Sequence, residues 1–276
     1  ARYRAISKTI NKIFNSYTDK VEKLSLDEAY LDVTEKMNDI PTATEIALKI
    51  KRDIKKTTGL SASAGVAPNK FLAKIASDWN KPDGLFVIKP HHIPYFIEQL
   101  PIRKIVGVGG AMEKKLASLN ITKMKELQSC SLNFLIGKFG KFGYRLFLLA
   151  RGQDESEVLA TRPRKSLSKE RTFSSDLSLK EVEDFLPELV SVTYRELKNV
   201  GGIPRTFSIK IRTSDFKTLS KQMKIDCNSL YLNDLERNAR NLLAKLDNTE
   251  HTKYRLLGTS FSDFISDFEP DQKRLF

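Results

Sequence analysis

Two adjacent carboxylates, Asp27 and Glu28, are the residues of this sequence best suited to metal chemistry. Adjacent side chains on a regular strand point to opposite faces, so both can face one site only where the chain turns. Val21–Thr34 is rich in β-branched and apolar residues around the pair, which predicts a hairpin. Clustered carboxylates suit Mg²⁺, although on spacing alone a solvated acidic turn is the commoner explanation.

Glycines further along the chain have the pattern of a phosphate-binding turn. Gly107 and Gly109 enclose one valine and precede a predicted helix at Ala111–Leu119, which contains Lys114 and Lys115. Such a turn presents backbone N–H groups at a helix N-terminus, where they bind phosphate without reading a particular base. Because glycine pairs also end helices in many proteins, the turn alone is a weak signal.

A second glycine segment spans Gly137–Gly143. One interpretation is a weaker copy of the first turn, which would place Lys138 and Lys141 near phosphates. A plain loop explains the glycines equally well. Both interpretations stay open at the level of sequence.

A predicted strand in the last third of the chain has one apolar and one polar side. Its apolar residues Phe207, Ile209 and Ile211 alternate with Ser208, Lys210 and Arg212. This period of two buries one face and leaves the other, basic and hydroxyl-lined, for backbone phosphates. Lys169 and Arg171 show the same pattern on an earlier strand, so we expect them to extend this surface. An ordinary solvated sheet face competes with this interpretation.

The candidate residues fall into units with different secondary-structure patterns. Helical spacing of Ile6, Ile10, Ile13 and Tyr17, followed by alternating strands and helices, predicts an α+β or α/β unit over residues 1–89.

The rest of the chain divides into four further segments. We predict an all-helical unit at 90–153, a polar linker at 154–165, a unit of one sheet and two helices at 166–268, and a mobile tail at 269–276. The expected fold is therefore multidomain α+β.

Charge and composition favour a nucleic-acid ligand. The net charge is +13, and residues 1–165 contain 29 basic and 17 acidic side chains, against 18 and 17 in residues 166–276. A basic region of this size usually binds a polyanion. Cys130 and Cys227 are isolated, which argues against a disulfide framework or a structural zinc site. Without an apolar run of membrane-spanning length, a cytoplasmic location is expected.

Three strings together resemble the palm of the Y-family translesion DNA polymerases of the bacterial DNA polymerase IV (DinB) type. They are Ser25–Asp32, Ala64–Asp78 and Asn80–Gly84, and their order and intervals match. The resemblance continues through the glycine turns to the last residue. It implies a partial palm at 1–89, a helix-hairpin-helix thumb at 90–153 and a little finger at 166–268.

The resemblance also implies roles for individual residues. Asp27 and Glu28 are similar to two of the three catalytic carboxylates that hold two Mg²⁺ ions, and Lys81 to the lysine that contacts the incoming deoxynucleoside triphosphate. Asp32 either supports the carboxylate site or caps its strand. Gly107 and Gly109 would grip duplex DNA.

The last five residues fit the Gln-x-x-Leu-Phe pattern of bacterial sliding-clamp ligands. Gln272 would hydrogen-bond at the rim of a pocket that receives Leu275 and Phe276. The implied partners are primer–template DNA, deoxynucleoside triphosphates and the sliding clamp, and we expect a monomer.

The sequence departs from the family at its start. Ala1 lies inside a helical pattern, and the Asp-Met-Asp-type segment with the third carboxylate does not precede it, nor do the fingers. We therefore expect a truncated chain that is inactive in isolation. The alternative function is a non-catalytic module that binds damaged DNA and the clamp; a nuclease or glycosylase would need further catalytic residues that are not evident.

Overall fold

The chain forms two units, residues 1–161 and 162–276, each with its own core. The computed structural model describes residues 2–35, 42–226, 230–246 and 252–265. Among these residues, no helix is both long and apolar enough to cross a bilayer.

The first unit opens with two packed helices, α1 (Arg2–Asn15) and α2 (Ala43–Thr58). Ile46, Ile50 and Ile54 recur every four residues on α2 and are buried against α1. The Thr42 hydroxyl accepts a hydrogen bond from the backbone of Glu45 and so begins α2, as its capping pattern predicts.

Two small sheets follow. Strands β1 (Val21–Lys23) and β2 (Ala29–Leu31) form an antiparallel hairpin, as predicted. Strands β3 (Ala64–Val66) and β4 (Leu85–Val87) pair in parallel, with α3 (Lys70–Trp79) between them in the chain. Two parallel neighbouring strands need such a crossover connection. The strings Ala64–Asp78 and Asn80–Gly84 therefore lie in one strand–helix–strand segment.

The rest of the first unit is helical, as expected. Its helices are α4 (Ile93–Glu98), α5 (Gly110–Ala117), α6 (Met124–Gln128), α7 (Leu132–Phe139) and α8 (Lys141–Leu149). They share one core with α3, which contributes Leu72 and Ile75. The packing is therefore continuous across residue 89.

Residues 154–159 dock onto the first unit although they form no helix or strand. The Asp154 carboxylate accepts a hydrogen bond of 3.1 Å from the backbone N–H of Phe71. The buried Glu22 carboxylate accepts from Lys70 Nζ at 2.6 Å and from the backbone N–H of Leu159 at 2.9 Å. These contacts fix the beginning of the predicted linker.

The second unit is one four-stranded antiparallel sheet with helices packed on it. Strand order is β5-β8-β6-β7. The elements are β5 (Ser166–Leu177), α9 (Leu179–Asp184), α10 (Leu186–Val200), β6 (Pro204–Thr213), β7 (Thr218–Lys224), α11 (Leu232–Ala244) and β8 (Tyr254–Phe264).

The sequence pattern of residues 178–200 predicts a single helix, but these residues form two helices in the structure. Phe185 separates α9 from α10, and Pro187 stands in the first turn of α10. Proline has no N–H to continue the hydrogen bonds of a preceding helix, but it is tolerated in a first turn.

Candidate metal centre and nucleic-acid interface

Asp27 and Glu28 lie in the exposed turn of the β1–β2 hairpin. Ser25 organises this turn: its hydroxyl accepts from the backbone N–H of Glu28 at 3.1 Å and of Asp27 at 3.3 Å, and donates to Asp27 Oδ1 at 2.5 Å. The predicted turn therefore exists, and it holds both carboxylates outside the regular strand pattern.

A lysine that the sequence did not single out lies against this pair. Lys74, on α3, places Nζ 3.0 Å from Glu28 Oε1 and 3.7 Å from Asp78 Oδ2. Lys74 and Asp78 are four residues apart on one helix, the usual spacing of a helical ion pair. This spacing is the only feature of the sequence that could have indicated an ion pair of Lys74. The contact with Glu28 could not be read from the sequence, because the two residues are distant in the chain.

Lys81 belongs to the same charge cluster. Its Nζ lies 2.6 Å from Asp78 Oδ1, and this hydrogen bond raises the pKa of Lys81, with smaller contributions from the charges of Glu28 and Asp27. Burial raises the pKa of Asp78, but the hydrogen bond from Lys81 and the charge of Lys74 outweigh it, so the net shift is downward. Two lysines and three carboxylates thus neighbour one another here.

The loop carrying Lys81 has a tightly packed backbone. A Cβ atom on Gly84 would meet the carbonyl oxygen of Asn80 at 1.9 Å, so no larger residue fits this conformation. Glycine is the residue that permits such an approach of two backbone segments.

Asp32 does not join the cluster by any described contact. Its Oδ1 accepts from the backbone N–H of Thr34 at 3.0 Å and from the hydroxyl at 2.7 Å. These hydrogen bonds lower the pKa of Asp32. The geometry favours the strand-capping interpretation over support of the carboxylate site.

The hairpin turn carries two carboxylates of the kind that bind divalent cations. Mg²⁺ is usually bound through one or two protein carboxylates, with waters and substrate phosphates completing its shell. Asp27 and Glu28 match that donor set. No group of three His, Cys, Asp or Glu side chains suited to a metal ion occurs among the described residues, so the hairpin offers a pair of carboxylates and no third donor of this kind.

The glycine turn of the helical region lies beside the same cluster. Gly107 adopts φ 102, a left-handed conformation that favours glycine, and Gly109 precedes the first residue of α5. Helix α5 therefore begins at Gly110, one residue before the predicted Ala111. A cleft joins this turn to α3; it is lined by Lys74, Ile75, Asp78, Arg103, Lys104, Ile105, Val106, Gly107 and Val108.

The lysines of this region have different surroundings. Lys114 and Lys115 are both exposed, but Lys115 Nζ also donates to the carbonyl of Lys138 at 3.1 Å and lies 4.9 Å from the ring centre of Phe139. Lys115 is thus engaged at the end of α7. The sequence analysis did not identify Arg103 and Lys104 as residues of this cleft, because no periodic pattern distinguishes them.

The Gly137–Gly143 segment is not a plain loop. Gly137 and Gly143 are helical, in α7 and α8, and the chain turns at Gly140 alone, with φ 60. A Cβ on Gly143 would meet the Leu135 carbonyl oxygen at 2.0 Å, so glycine permits the close approach of the two helices. Lys138 and Lys141 are exposed beside this turn, and their binding of phosphate stays a prediction.

Strand register in the second unit corrects one surface prediction. Lys210 and Glu170 both pair with Gly258, and their side chains form an ion pair over it. Lys169 and Arg171 instead align with core-facing Ile209 and Ile211.

Lys169 and Arg171 bind carboxylates of α10 on the helix side of the sheet. Lys169 Nζ lies 3.3 Å from Glu196, and Arg171 Nη1 2.7 Å from Glu188. They therefore do not extend the surface of Lys210 and Arg212. We predicted that Lys169 and Arg171 face outward, but in β5 these two residues face the helices and Glu170 between them faces outward. Arg212 donates from Nε to Thr218 at 3.1 Å.

The predicted tail residues Gln272, Leu275 and Phe276 lie outside the described residues.

Comparison with known families matches three segments of the chain. Residues 1–78 match the impB/mucB/samB family, residues 164–275 match the C-terminal domain of that family, and residues 103–154 match the thumb domain of DNA polymerase-iota.

Curated relatives agree over nearly the whole chain. DNA polymerase IV of Xanthomonas campestris pv. campestris strain 8004 is 43% identical over 264 residues, which cover 96% of this chain and 74% of the relative. DNA polymerase IV of Stenotrophomonas maltophilia strain R551-3 is 42% identical over 270 residues, covering 98% and 76%.

Solved structures give the same match. A Y-family DNA polymerase chimera, Dbh-Dpo4(243-245)-Dbh, aligns with a TM-score of 0.83 at 31% identity and covers 95% of this chain and 76% of its own. An insertion ternary complex of Dbh DNA polymerase aligns with a TM-score of 0.57 at 30% identity, covering 95% and 76%.

Proposed function

The chain belongs to the Y-family DNA polymerases of the DinB, or DNA polymerase IV, type, and we propose that its hairpin carboxylates serve template-directed nucleotidyl transfer to a DNA primer. DNA-directed DNA polymerase is the enzyme class of this family. The observation that carries the proposal is the grouping of Asp27, Glu28, Lys74 and Lys81 around one exposed turn.

Asp27 and Glu28 are proposed as metal ligands. When bound, two Mg²⁺ ions would activate the primer 3′-hydroxyl and stabilise the leaving pyrophosphate. The Ser25 hydroxyl bonds fix the turn, so both carboxylates are held in place before a metal arrives. The described residues supply two of the three carboxylates that the family resemblance implies.

Lys81 is proposed to bind the triphosphate of the incoming nucleotide. Its ammonium is half-exposed and bonded to Asp78, so it can exchange that carboxylate for phosphate oxygens. Because the hydrogen bond to Asp78 raises the pKa of Lys81, the side chain stays cationic at neutral pH. The solved ternary complexes of the similar Dbh polymerase support nucleotide and DNA as substrates.

Two further surfaces are proposed to hold the DNA. The turn at Gly107 and Gly109, with Lys114, would bind backbone phosphates. On the outer face of the second unit's sheet, Lys210 and Arg212 would do the same. We propose that the enzyme copies damaged templates with low fidelity and acts in damage tolerance, as DNA polymerases of this family type do, and that the Gln272–Phe276 tail binds the sliding clamp.

A metal-binding measurement tests the carboxylate proposal without requiring activity. Mn²⁺ titration followed by electron paramagnetic resonance should show a site that the Glu28→Gln variant weakens at least about tenfold, because one of two charged ligands is lost. The control is Glu35→Gln, which removes an exposed carboxylate elsewhere. Equal Mn²⁺ affinity of Glu28→Gln and the native chain would contradict the assignment.

Primer extension provides the second test. Supplying an Asp-Met-Asp-type palm segment of a relative, as a fusion or in trans, should give Mg²⁺-dependent extension that Glu28→Gln abolishes. Extension that survives this substitution would refute the proposed role.

A further inference from the structure

The outward face of α2 is a continuous basic surface. The opposite side of the helix is buried through Ile46, Ile50 and Ile54. The outward side, called here the α2 basic face, consists of Leu48, Lys49, Arg52, Lys55 and Lys56. The largely buried Lys51 lines a cleft together with Leu48, Arg52, Lys55 and Lys56. The acidic residues of α2 are Glu45, in its first turn, and Asp53.

Most of these cations have no carboxylate to neutralise them. Among the described residues, Lys49, Lys55 and Lys56 take part in no ion pair. Arg52 Nε lies 3.8 Å from Asp53, but that carboxylate also accepts a 2.6 Å hydrogen bond from Tyr17. Exposed lysines in mutual proximity repel one another, so a surface of this kind is stabilised by an anionic ligand.

Lys51 connects the α2 basic face to the loop that carries Lys81. Lys51 is largely buried and donates to the carbonyl of Asp83 at 2.6 Å and of Gly84 at 3.0 Å, while its Nζ lies 3.2 Å from Asp83 Oδ1. Asp83 lies two residues after Lys81. The α2 basic face therefore adjoins the loop that carries Lys81.

The neighbouring helix adds further positive charge. Helix α1 packs against α2 and contributes exposed Arg2, Arg4, Lys8 and Lys12. Together the sequences of α1 and α2 contain nine basic and two acidic residues. Basic residues thus predominate on both helices and not on α2 alone.

We infer that the α2 basic face is a nucleic-acid contact surface, additional to the thumb and sheet surfaces, that binds the phosphates of a DNA strand. Lysine acts as a point charge for phosphate and reads no base. Protein interfaces are depleted of lysine and centre on buried aromatic or arginine anchors, whereas Leu48 is the single large apolar side chain here. An anionic membrane is disfavoured because the apolar side of α2 is already buried in the protein core.

The test is binding of a fluorescent oligothymidylate of about 20 nucleotides, measured by anisotropy across a salt series. The variant Arg52→Gln/Lys55→Gln/Lys56→Gln removes three exposed cations and leaves the buried isoleucines untouched. Three lost phosphate contacts should lower the slope of log K against log salt by about 2, and affinity roughly tenfold or more near 0.1 M salt.

A matched control separates this surface from general charge. Arg195→Gln/Lys180→Gln/Lys245→Gln also removes one arginine and two lysines, all exposed, from helices and a helix end of the second unit. We expect its salt slope to change by less than about 1. An equal loss in both variants would mean diffuse attraction and overturn the inference. Circular dichroism melting confirms that each variant is folded.

Lysine acetylation read by mass spectrometry locates the contact directly. The oligonucleotide should protect Lys49, Lys55 and Lys56 of the native chain and leave Lys180 and Lys245 reactive. Absence of that difference would overturn the inference. A labelled polyglutamate peptide tests the protein-partner explanation: tighter binding of the peptide than of the oligonucleotide would replace the DNA assignment.

Discussion

The ammonium of Lys74 lies 3.0 Å from the carboxylate of Glu28, a contact between α3 and the hairpin turn. The same ammonium lies 3.7 Å from Asp78, which in turn binds Lys81. Lys74 therefore links Glu28, one of the two proposed metal ligands, through Asp78 to Lys81, the lysine proposed as a phosphate ligand. A divalent cation at Glu28 must compete with an ammonium already in place.

Replacing Lys74 should consequently strengthen cation binding. Both partners are partly exposed, so the ion pair is worth only about 0.2–1 kcal/mol. We expect Lys74→Met to bind Mn²⁺ about two- to fivefold more tightly, measured by electron paramagnetic resonance, and Lys74→Arg to resemble the native chain. Lys89→Met, at an exposed lysine, is the control. Weaker Mn²⁺ binding by Lys74→Met would show instead that Lys74 orients Glu28.

The Glu22–Lys70 pair should contribute strongly to stability. Glu22 is 2% exposed, and its carboxylate also accepts the backbone N–H of Leu159. Glu22→Ala leaves the Lys70 ammonium without this partner in a largely buried position, which typically costs about 3–5 kcal/mol. Urea unfolding measures the loss, and limited proteolysis should cut within 154–161 faster.

The exposed pair Lys20–Glu35 is the control for that substitution. Its nitrogen–oxygen distance is 2.7 Å, close to that of Glu22–Lys70, but Glu35 is 77% exposed. Glu35→Ala should change the free energy of unfolding by less than about 1 kcal/mol. Similar losses in the two variants would mean that burial does not govern the strength of the Glu22 contact.

Glu170 should restrain DNA binding by the outer sheet face. Its carboxylate binds Lys210 across β8, and Gly258 between them has no side chain to separate the two. Glu170→Gln frees the ammonium for phosphate, so we expect about two- to fivefold tighter binding of primer–template DNA by anisotropy. Lys210→Gln should weaken binding and reduce the salt slope by about 1.

The strand register provides the control for the outer face. Glu196→Gln removes a carboxylate that pairs with Lys169 on the helix side of the same sheet. We expect this variant to bind DNA as the native chain does. If Glu196→Gln tightened binding as much as Glu170→Gln, the helix side rather than the outer face would hold the DNA.

Tyr17 makes stability depend on alkaline pH. Burial, together with the hydrogen bond to Asp53, raises the pKa of Tyr17 from 10.0 to about 12. Between these values the unfolded tyrosine is ionised while the folded one keeps its proton, so its contribution to stability is complete below pH 10.0 and declines toward pH 12.

Urea unfolding at several pH values measures this effect. Below pH 10.0, Tyr17→Phe should be less stable by about 1 kcal/mol because it lacks the hydrogen bond. The difference from the native chain should shrink as pH approaches 12, whereas Tyr3→Phe, with its exposed ring, should run parallel to the native curve. A Tyr17→Phe difference that stays constant with pH would contradict the raised pKa.

The C-terminal pentapeptide should act independently of the folded units. Deleting residues 272–276 should abolish binding to a bacterial sliding clamp in a pull-down, because Leu275 and Phe276 are the proposed apolar anchors. DNA binding should be nearly unchanged. Equal clamp capture by the deleted and native chains would refute the assignment of the tail.

The secondary structure of the described residues was largely predictable from the sequence. The hairpin at Asp27–Glu28, the α2 face of Ile46, Ile50 and Ile54, and the four strands of the second unit follow from periods of two and near four. The break at Phe185 was mispredicted because the helical pattern runs on through this residue, from α9 into α10.

Sequence strings also identified the family, since a local motif keeps its residue types and spacing in one dimension. The partners of individual charges could not be read this way. Lys74 meets Glu28, and Lys169 faces Glu196 rather than joining Lys210, because helix packing and strand register bring distant segments together. A one-residue shift of register moves a side chain to the other face of a sheet. Local pattern therefore determined which elements form, and tertiary packing decided which charges act together.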